Sequence, residues 1–206
     1  MKFEEWEPLY REICDYFCFD PAEDEKAARV LSTLTGTDSS SLLRDAIAGK
    51  TVTVCGNAPG LHDQLDGISG CIIAADAASG VLLSHGITPR VIVTDLDGID
   101  EYAVDLNRKG TILVVHAHGD NIPRLDAWIP RFPGPLVCTT QGKPFLHVHN
   151  FGGFTDGDRA VFMAYEMGAG EVVLAGFDCG DPEVTPIKKG KLLWAKRLLS
   201  LLGHEC

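Results

Sequence analysis

Apolar positions along the chain change period near residue 50. Before it the spacing is helical: Phe3, Trp6, Leu9, Tyr10, Ile13, Cys14 and Phe17 recur at intervals of three and four and predict an amphipathic helix. Asp20 followed by Pro21 is a helix start signal and predicts a second helix over 21–34, closed by Gly36. A third, short helix is expected over 39–48, stopping at Gly49. Residues 1–50 carry no motif and read as an N-terminal helical packing element.

From Thr51 short β-branched runs take over. They predict strands over 51–55, 71–75, 90–94, 111–115, 135–139, 145–149 and 171–175. Helical stretches are expected over 77–85, 99–108, 121–128 and 156–167, and a last helix over 190–202. Mostly apolar strands alternating with helices indicate an α/β fold with a mostly parallel, doubly wound sheet covered on both faces. Residues 51–206 are read as this catalytic domain, including the C-terminal helix. A chain of 206 residues can bury such a core without disulfide staples.

The polar residues are placed unevenly around these strands. After them come GNAPG (56–60), Asp76, TDLDG (94–98), HAHGDN (116–121), TTQGK (139–143), NFGGFTDGDR (150–159) and GFDCGD (176–181). The segments before them, such as GK, ISG, HGITP and NRKG, contain no Asp. Turn formation alone explains Asp, Asn and Gly after a strand, but it predicts similar polarity at both ends. In an open parallel sheet the strand carboxyl ends share one edge, where ligands bind. The asymmetry therefore points to a site on that edge.

Composition narrows the chemistry. The formal net charge of −11 disfavours nucleic acid, whose binding rests on Lys and Arg neutralising phosphates. An acidic chain still accepts an anionic nucleotide when a divalent cation lies between them. No run approaches the roughly 20 apolar residues of a membrane span, and the acidic, periodic N-terminus is unlike a signal peptide. The seven cysteines, Cys14, Cys18, Cys55, Cys71, Cys138, Cys179 and Cys206, include no C-x-x-C pair. They suggest a reduced, cytoplasmic protein rather than a disulfide scaffold.

TDLDG is the sharpest motif. Asp95 and Asp97 stand two residues apart as a strand ends in Thr94, and Gly98 lets the chain turn. Two carboxylates so placed suit Mg²⁺, which takes one or two carboxylates together with substrate phosphates. Asp120, at a comparable strand end, is a third candidate ligand. The pairs His116/His118 and His147/His149 admit a zinc reading, but the surrounding carboxylates favour a hard ion. His116 or His118 then serves as a hydrogen-bond donor to phosphate or substrate. Glycines in GNAPG and NFGGFTDGD let backbone N–H groups approach phosphates or a flat ring. Asp156 and Asp158 are either helix caps or ligand contacts. Arg159 is positioned to meet a phosphate. Lys188, Lys189 and Lys191 are either triphosphate contacts or an ordinary solvated helix start.

The run IIAADAASGVLLSHGITPRVIVTDLDG (72–98) resembles the nucleotide-binding core of thiamine pyrophosphokinases. The fuller set GNAPG, AADAAS, TDLDG, HAHGDN, NFGGFTDGDRA, GFD and KKGKLLWA, over roughly 51–198, resembles the archaeal-type 6-hydroxymethyl-7,8-dihydropterin pyrophosphokinases. That resemblance implies Mg²⁺- and ATP-dependent diphosphate transfer to a reduced pterin, in tetrahydromethanopterin or folate-like cofactor biosynthesis. It implies Asp95, Asp97 and Asp120 as the metal positions, Asn57 and Asp76 as ligand-facing strand ends, and a homodimer. His116, His118, Asn121 and Arg159 are expected on phosphate or substrate. Asn57, Asp76, Gln141 and Asn150 are candidates for reading the pterin ring, and Lys188 and Lys191 for the triphosphate. Thiamine is a poorer acceptor, because only 26 residues follow Gly180 where thiamine enzymes carry a β-rich domain. Asp76-Ala77-Ala78 also departs from their Asp-Gly-Gly. A D-x-D nucleotide-sugar glycosyltransferase and a nucleotide-sensing module are the rival readings.

Overall fold

A computed structural model describes the whole chain, residues 1–206. Three helices lead, α1 (Phe3–Phe17), α2 (Pro21–Leu34) and α3 (Ser40–Ile47). The sheet strands are β1 (Thr51–Cys55), β2 (Cys71–Ala75), β3 (Val91–Thr94), β4 (Ile112–Ala117), β5 (Leu136–Thr140), β6 (Val148–His149) and β7 (Glu171–Ala175). Between them run α4 (Leu61–Gln64), α5 (Ala78–Ser84), α6 (Tyr102–Arg108), α7 (Ile122–Trp128) and α8 (Asp156–Glu166), and α9 (Pro186–Leu201) closes the chain. All seven strands are parallel, in the order β6-β5-β4-β3-β2-β1-β7. No helix is long and apolar enough to cross a membrane.

The strand sequences dictate the two cores. Side chains alternate across a sheet with period two, so Val52, Val54, Ile73, Val91, Val93, Ile112, Val114 and Val137 face one way, toward α3 and α8. Cys55, Ala74, Ile92, Leu113, Val115 and Cys138 face the other, toward α2, α5, α6 and α7. This is the doubly wound α/β sheet that the continuous apolar strands predict.

The N-terminal helices straddle the sheet. Trp6, Tyr10 and Ile13 of α1 pack with Phe162 of α8 and Trp194 and Leu198 of α9, whereas Ala27, Ala28 and Leu31 of α2 belong to the opposite core. The link between them, Cys18–Asp20, lines the cavity at the strand carboxyl ends. Cys18 takes a left-handed φ of 57° to end α1. Asp20 caps α2 through the Ala22 N–H at 2.9 Å, with Pro21 in the first turn.

Two expectations are corrected. The run 145–149 is not a full strand: Phe145 and Val148 pair across a tight turn with Leu146 at φ 51°, and only Val148–His149 joins the sheet. The cysteines are not all reduced, because Cys179 and Cys206 form a disulfide across a sequence separation of 27. It ties the segment after β7 to the chain end beyond α9, a proximity created by tertiary folding and invisible to local spacing. Cys55, Cys71 and Cys138 are free, buried strand residues.

Candidate functional site

One cavity of about 770 Å³ opens at the carboxyl edge of the sheet, a volume within the usual range for small-ligand sites. At its centre stand the ends of β2 and β3. Asp76, Asp95 and Asp156 each place a carboxylate oxygen within 4.8 Å of the others. Asp97 lies beside them and interacts with both Asp76 and Asp95.

Local chain chemistry builds this cluster. Asp76 follows β2 with φ 47°, Leu96 follows β3 with φ 74°, and the Thr94 hydroxyl donates to Asp76 Oδ1 at 2.6 Å while accepting from the Leu96 N–H at 2.8 Å. Gly98 is required at the turn, because a Cβ there would collide with Asp76 Oδ2. Asp156 begins α8 on the opposite side. The helix start is fixed by Asp158, which accepts from the Phe154 and Thr155 N–H groups at 2.8 and 2.7 Å. Gly153, at φ 86°, lets the loop pass so near the Arg159 backbone that a Cβ has no room. Buried Arg159 then donates to Asp156 Oδ1 at 2.7 Å and to the Phe154 carbonyl at 2.8 Å.

Crowding four carboxylates shifts their ionisation. Burial raises Asp76, with the Asp95 charge adding to it. Burial and the same charge push Asp97 up to about 6. Burial drives Asp156 well above the carboxylate range despite Arg159. Asp95 goes the other way: burial opposes its charge, but hydrogen bonding to His118 and Asp97 overrides that and holds it well below the usual range. One ionised carboxylate among three that resist ionising is a site short of positive charge. The all-oxygen donor set fits a hard divalent cation such as Mg²⁺.

The two flanks of the cluster differ. On the β1–β7 side Gly56, Asn57 and Pro59 line the cavity with Phe177; Lys188 and Lys191 of α9 also line it, with Gly190 between them packed on Tyr16 and Phe17 of α1. On the β4–β5 side stand His116, His118 and Gln141, backed by Phe19, Glu23 and Asp24 from the N-terminal helices. Asp24 is buried and accepts from Tyr10 Oη and Gln141 Nε2, each at 2.7 Å, and from the Gly119 N–H at 2.8 Å. The N-terminal segment therefore goes beyond packing and forms a wall of the cavity.

Residues 26–184 match the family described as 6-hydroxymethylpterin diphosphokinase MptE-like. Curated relatives named 6-hydroxymethyl-7,8-dihydropterin pyrophosphokinase agree. One from Pyrococcus furiosus is 44% identical over 86% of this chain and 78% of its own length. One from Methanothermobacter thermautotrophicus is 37% identical over 100% and 97%, and one from Methanocaldococcus jannaschii is 36% identical over 100% and 97%. The chain belongs to the MptE-like family. Among solved structures, the MAf glycosyltransferase of Magnetospirillum magneticum AMB-1 is similar at a TM-score of 0.46 and 18% identity, over 78% of this chain and 29% of that one.

In this MptE-like chain the sequence-predicted residues separate into groups. Asn57, Asp76, Asp95, Asp97, His116, His118, Asp120, Gln141, Asp156, Arg159, Lys188 and Lys191 all line the cavity. The expected metal trio of Asp95, Asp97 and Asp120 is not the one gathered. Asp120 is 85% exposed and pairs with His118 Nδ1 at 2.7 Å, while the other ring nitrogen lies 3.1 Å from Asp95 Oδ2. His118 therefore spans the two carboxylates, and Asp76 and Asp156 take the places beside Asp95.

Four further candidates, Asn121, Asn150, Asp158 and Thr94, hold neighbouring protein groups. Asn121 is buried and ties Asp95 O to His116 O through Nδ2, at 3.0 and 2.7 Å. Asn150 holds the Gln141 and Gly142 carbonyls at 2.9 and 2.7 Å. Asp158 caps α8, and Thr94 orients Asp76. The H-x-H pairs do not converge either: His149 lies 3.1 Å from the Asp38 carboxylate, and neither it nor His147 lines the cavity. Asp24 and Phe19 escaped the sequence reading, since an Asp inside an acidic helix carries no signal of burial.

Proposed function

We propose that this chain transfers the diphosphate of ATP to the hydroxymethyl oxygen of 6-hydroxymethyl-7,8-dihydropterin, releasing AMP. The observation that carries the reading is the carboxylate cluster of Asp76, Asp95 and Asp156 at the sheet's carboxyl edge, in a chain of the MptE-like family. The names of the relatives supply the acceptor. In the transfer the substrate oxygen bonds to the β-phosphorus, the bond from that phosphorus to the α-phosphate oxygen breaks, and the hydroxyl proton is released.

Asp76, Asp95 and Asp156 would hold Mg²⁺, with Asp97 at its margin. The ion would neutralise phosphate charge that this acidic cavity otherwise repels. Lys188 and Lys191 add the remaining positive charge. Asn57 and the glycine backbone of 56–60 contact nucleotide, and Arg159 fixes Asp156. Such chemistry depends mainly on positioning and charge compensation, with little covalent work for the protein. The product serves tetrahydromethanopterin or folate-like cofactor synthesis. The test is a coupled assay with ATP, Mg²⁺ and the pterin. Equimolar AMP and pterin diphosphate are expected, and neither should form with Asp95→Asn. A wild-type protein producing no AMP would remove the reading.

A further inference from the structure

His116 is the last residue but one of β4, buried, and it lines the cavity. Its ring hydrogen bonds only on one side. Nδ1 lies 3.1 Å from Thr139 Oγ1, and that hydroxyl lies 3.1 Å from the Val115 carbonyl. We assign the single hydroxyl proton of Thr139 to the Val115 carbonyl, which only accepts. Thr139 then accepts from His116, and Nδ1 carries the imidazole proton. Nε2 is left with a lone pair, buried and without a partner. A buried polar atom without a partner is costly, and a small turn of this ring toward the cavity it lines would let a ligand complete the arrangement.

Gln141, one residue past β5, repeats the polarity. Its Nε2 donates to Asp24, which leaves its amide oxygen as an acceptor. Two acceptors on this flank would repel phosphate oxygens. They match the N–H edge of a heterocycle such as an amino-pteridine.

We propose that the β4–β5 flank is the pterin subsite, in which His116 Nε2 accepts a hydrogen bond from a ring or amino N–H of the pterin. The assignment rests on the pterin diphosphokinase reading and reverses the donor role that the sequence suggested for His116. His116 is thus a residue that selects and orients the acceptor rather than one that binds phosphate.

Two measurements test it. Calorimetric titration with 6-hydroxymethyl-7,8-dihydropterin, and separately with Mg²⁺ and α,β-methylene-ATP, compares wild type with His116→Ala. Loss of one hydrogen bond in a water-excluded site predicts roughly tenfold weaker pterin binding, with nucleotide affinity unchanged within about twofold. Nitrogen-15 NMR of the wild-type protein, which needs no variant to fold, should show a neutral ring protonated at Nδ1 whose Nε2 resonance moves on adding pterin. An Nε2-protonated ring, an Nε2 resonance indifferent to saturating pterin, or a loss confined to the nucleotide would overturn the assignment. A wild type that binds nucleotide but no pterin would remove both this subsite and the pterin reading beneath it. Normal pterin binding and AMP release with an indifferent His116 would remove the subsite alone.

Discussion

Replacing Asp97 with Asn should stabilise the metal-free protein. Asp97 carries a carboxyl pushed up to about 6 by burial and by the Asp95 charge, against an unfolded value near 3.9. A folded value above the unfolded one means that ionised Asp97 costs folding energy above pH 6. That cost shrinks as pH falls from 6 to about 4 and vanishes below it. Two units correspond to about 3 kcal/mol. The carboxyl is only partly desolvated and the residue as a whole is exposed, so solvent screening reduces this to about 1 kcal/mol. Asn preserves shape and keeps a donor toward Asp95 while removing the charge. Thermal melting in EDTA at pH 7.5 should therefore show a rise of about 2–4 °C, the shift typical of 1 kcal/mol in a chain of this size. The gain should fade on acidification to pH 4. Adding Mg²⁺ should stabilise the wild type more than the variant, since the cation relieves the same repulsion. A variant less stable than wild type in EDTA at pH 7.5 would refute the electrostatic reasoning.

Asp24→Ala should cost about 3–5 kcal/mol in urea unfolding, because Tyr10, Gln141 and Gly119 all lose a charged acceptor; a loss below about 1 kcal/mol would show that the N-terminal wall is held otherwise. Reducing the Cys179–Cys206 bond should lower stability by about 3.5 kcal/mol, the loop-closure value for a separation of 27. An unchanged urea midpoint in reductant would contradict this.

The sheet was legible because its strands are short, β-branched and largely apolar, and because acids cluster directly after their carboxyl ends. Helix α8 was legible at its start, yet the identity of its cap was not. Thr155 and Asp158 share the capping work, which frees Asp156 for the cluster. Sequence spacing favoured Asp97, two residues beyond Asp95, and a comparable strand end favoured Asp120. The chain instead turns sharply at Leu96, and Asp120, 85% exposed, meets one ring nitrogen of His118 while the other faces Asp95. The N-terminal wall was invisible for a different reason. Asp24 is defined by what approaches it from β5 and the Gly119 loop, and no local pattern encodes that meeting.

The central claim is that Asp76, Asp95 and Asp156 bind the cation that carries the nucleotide. Crystals grown with Mn²⁺ and α,β-methylene-ATP test it through anomalous scattering. The account predicts one strong peak within roughly 2–2.5 Å of oxygens from those carboxylates and from the phosphates. A peak on Asp120 alone, or bound nucleotide with no metal among the three, would contradict it.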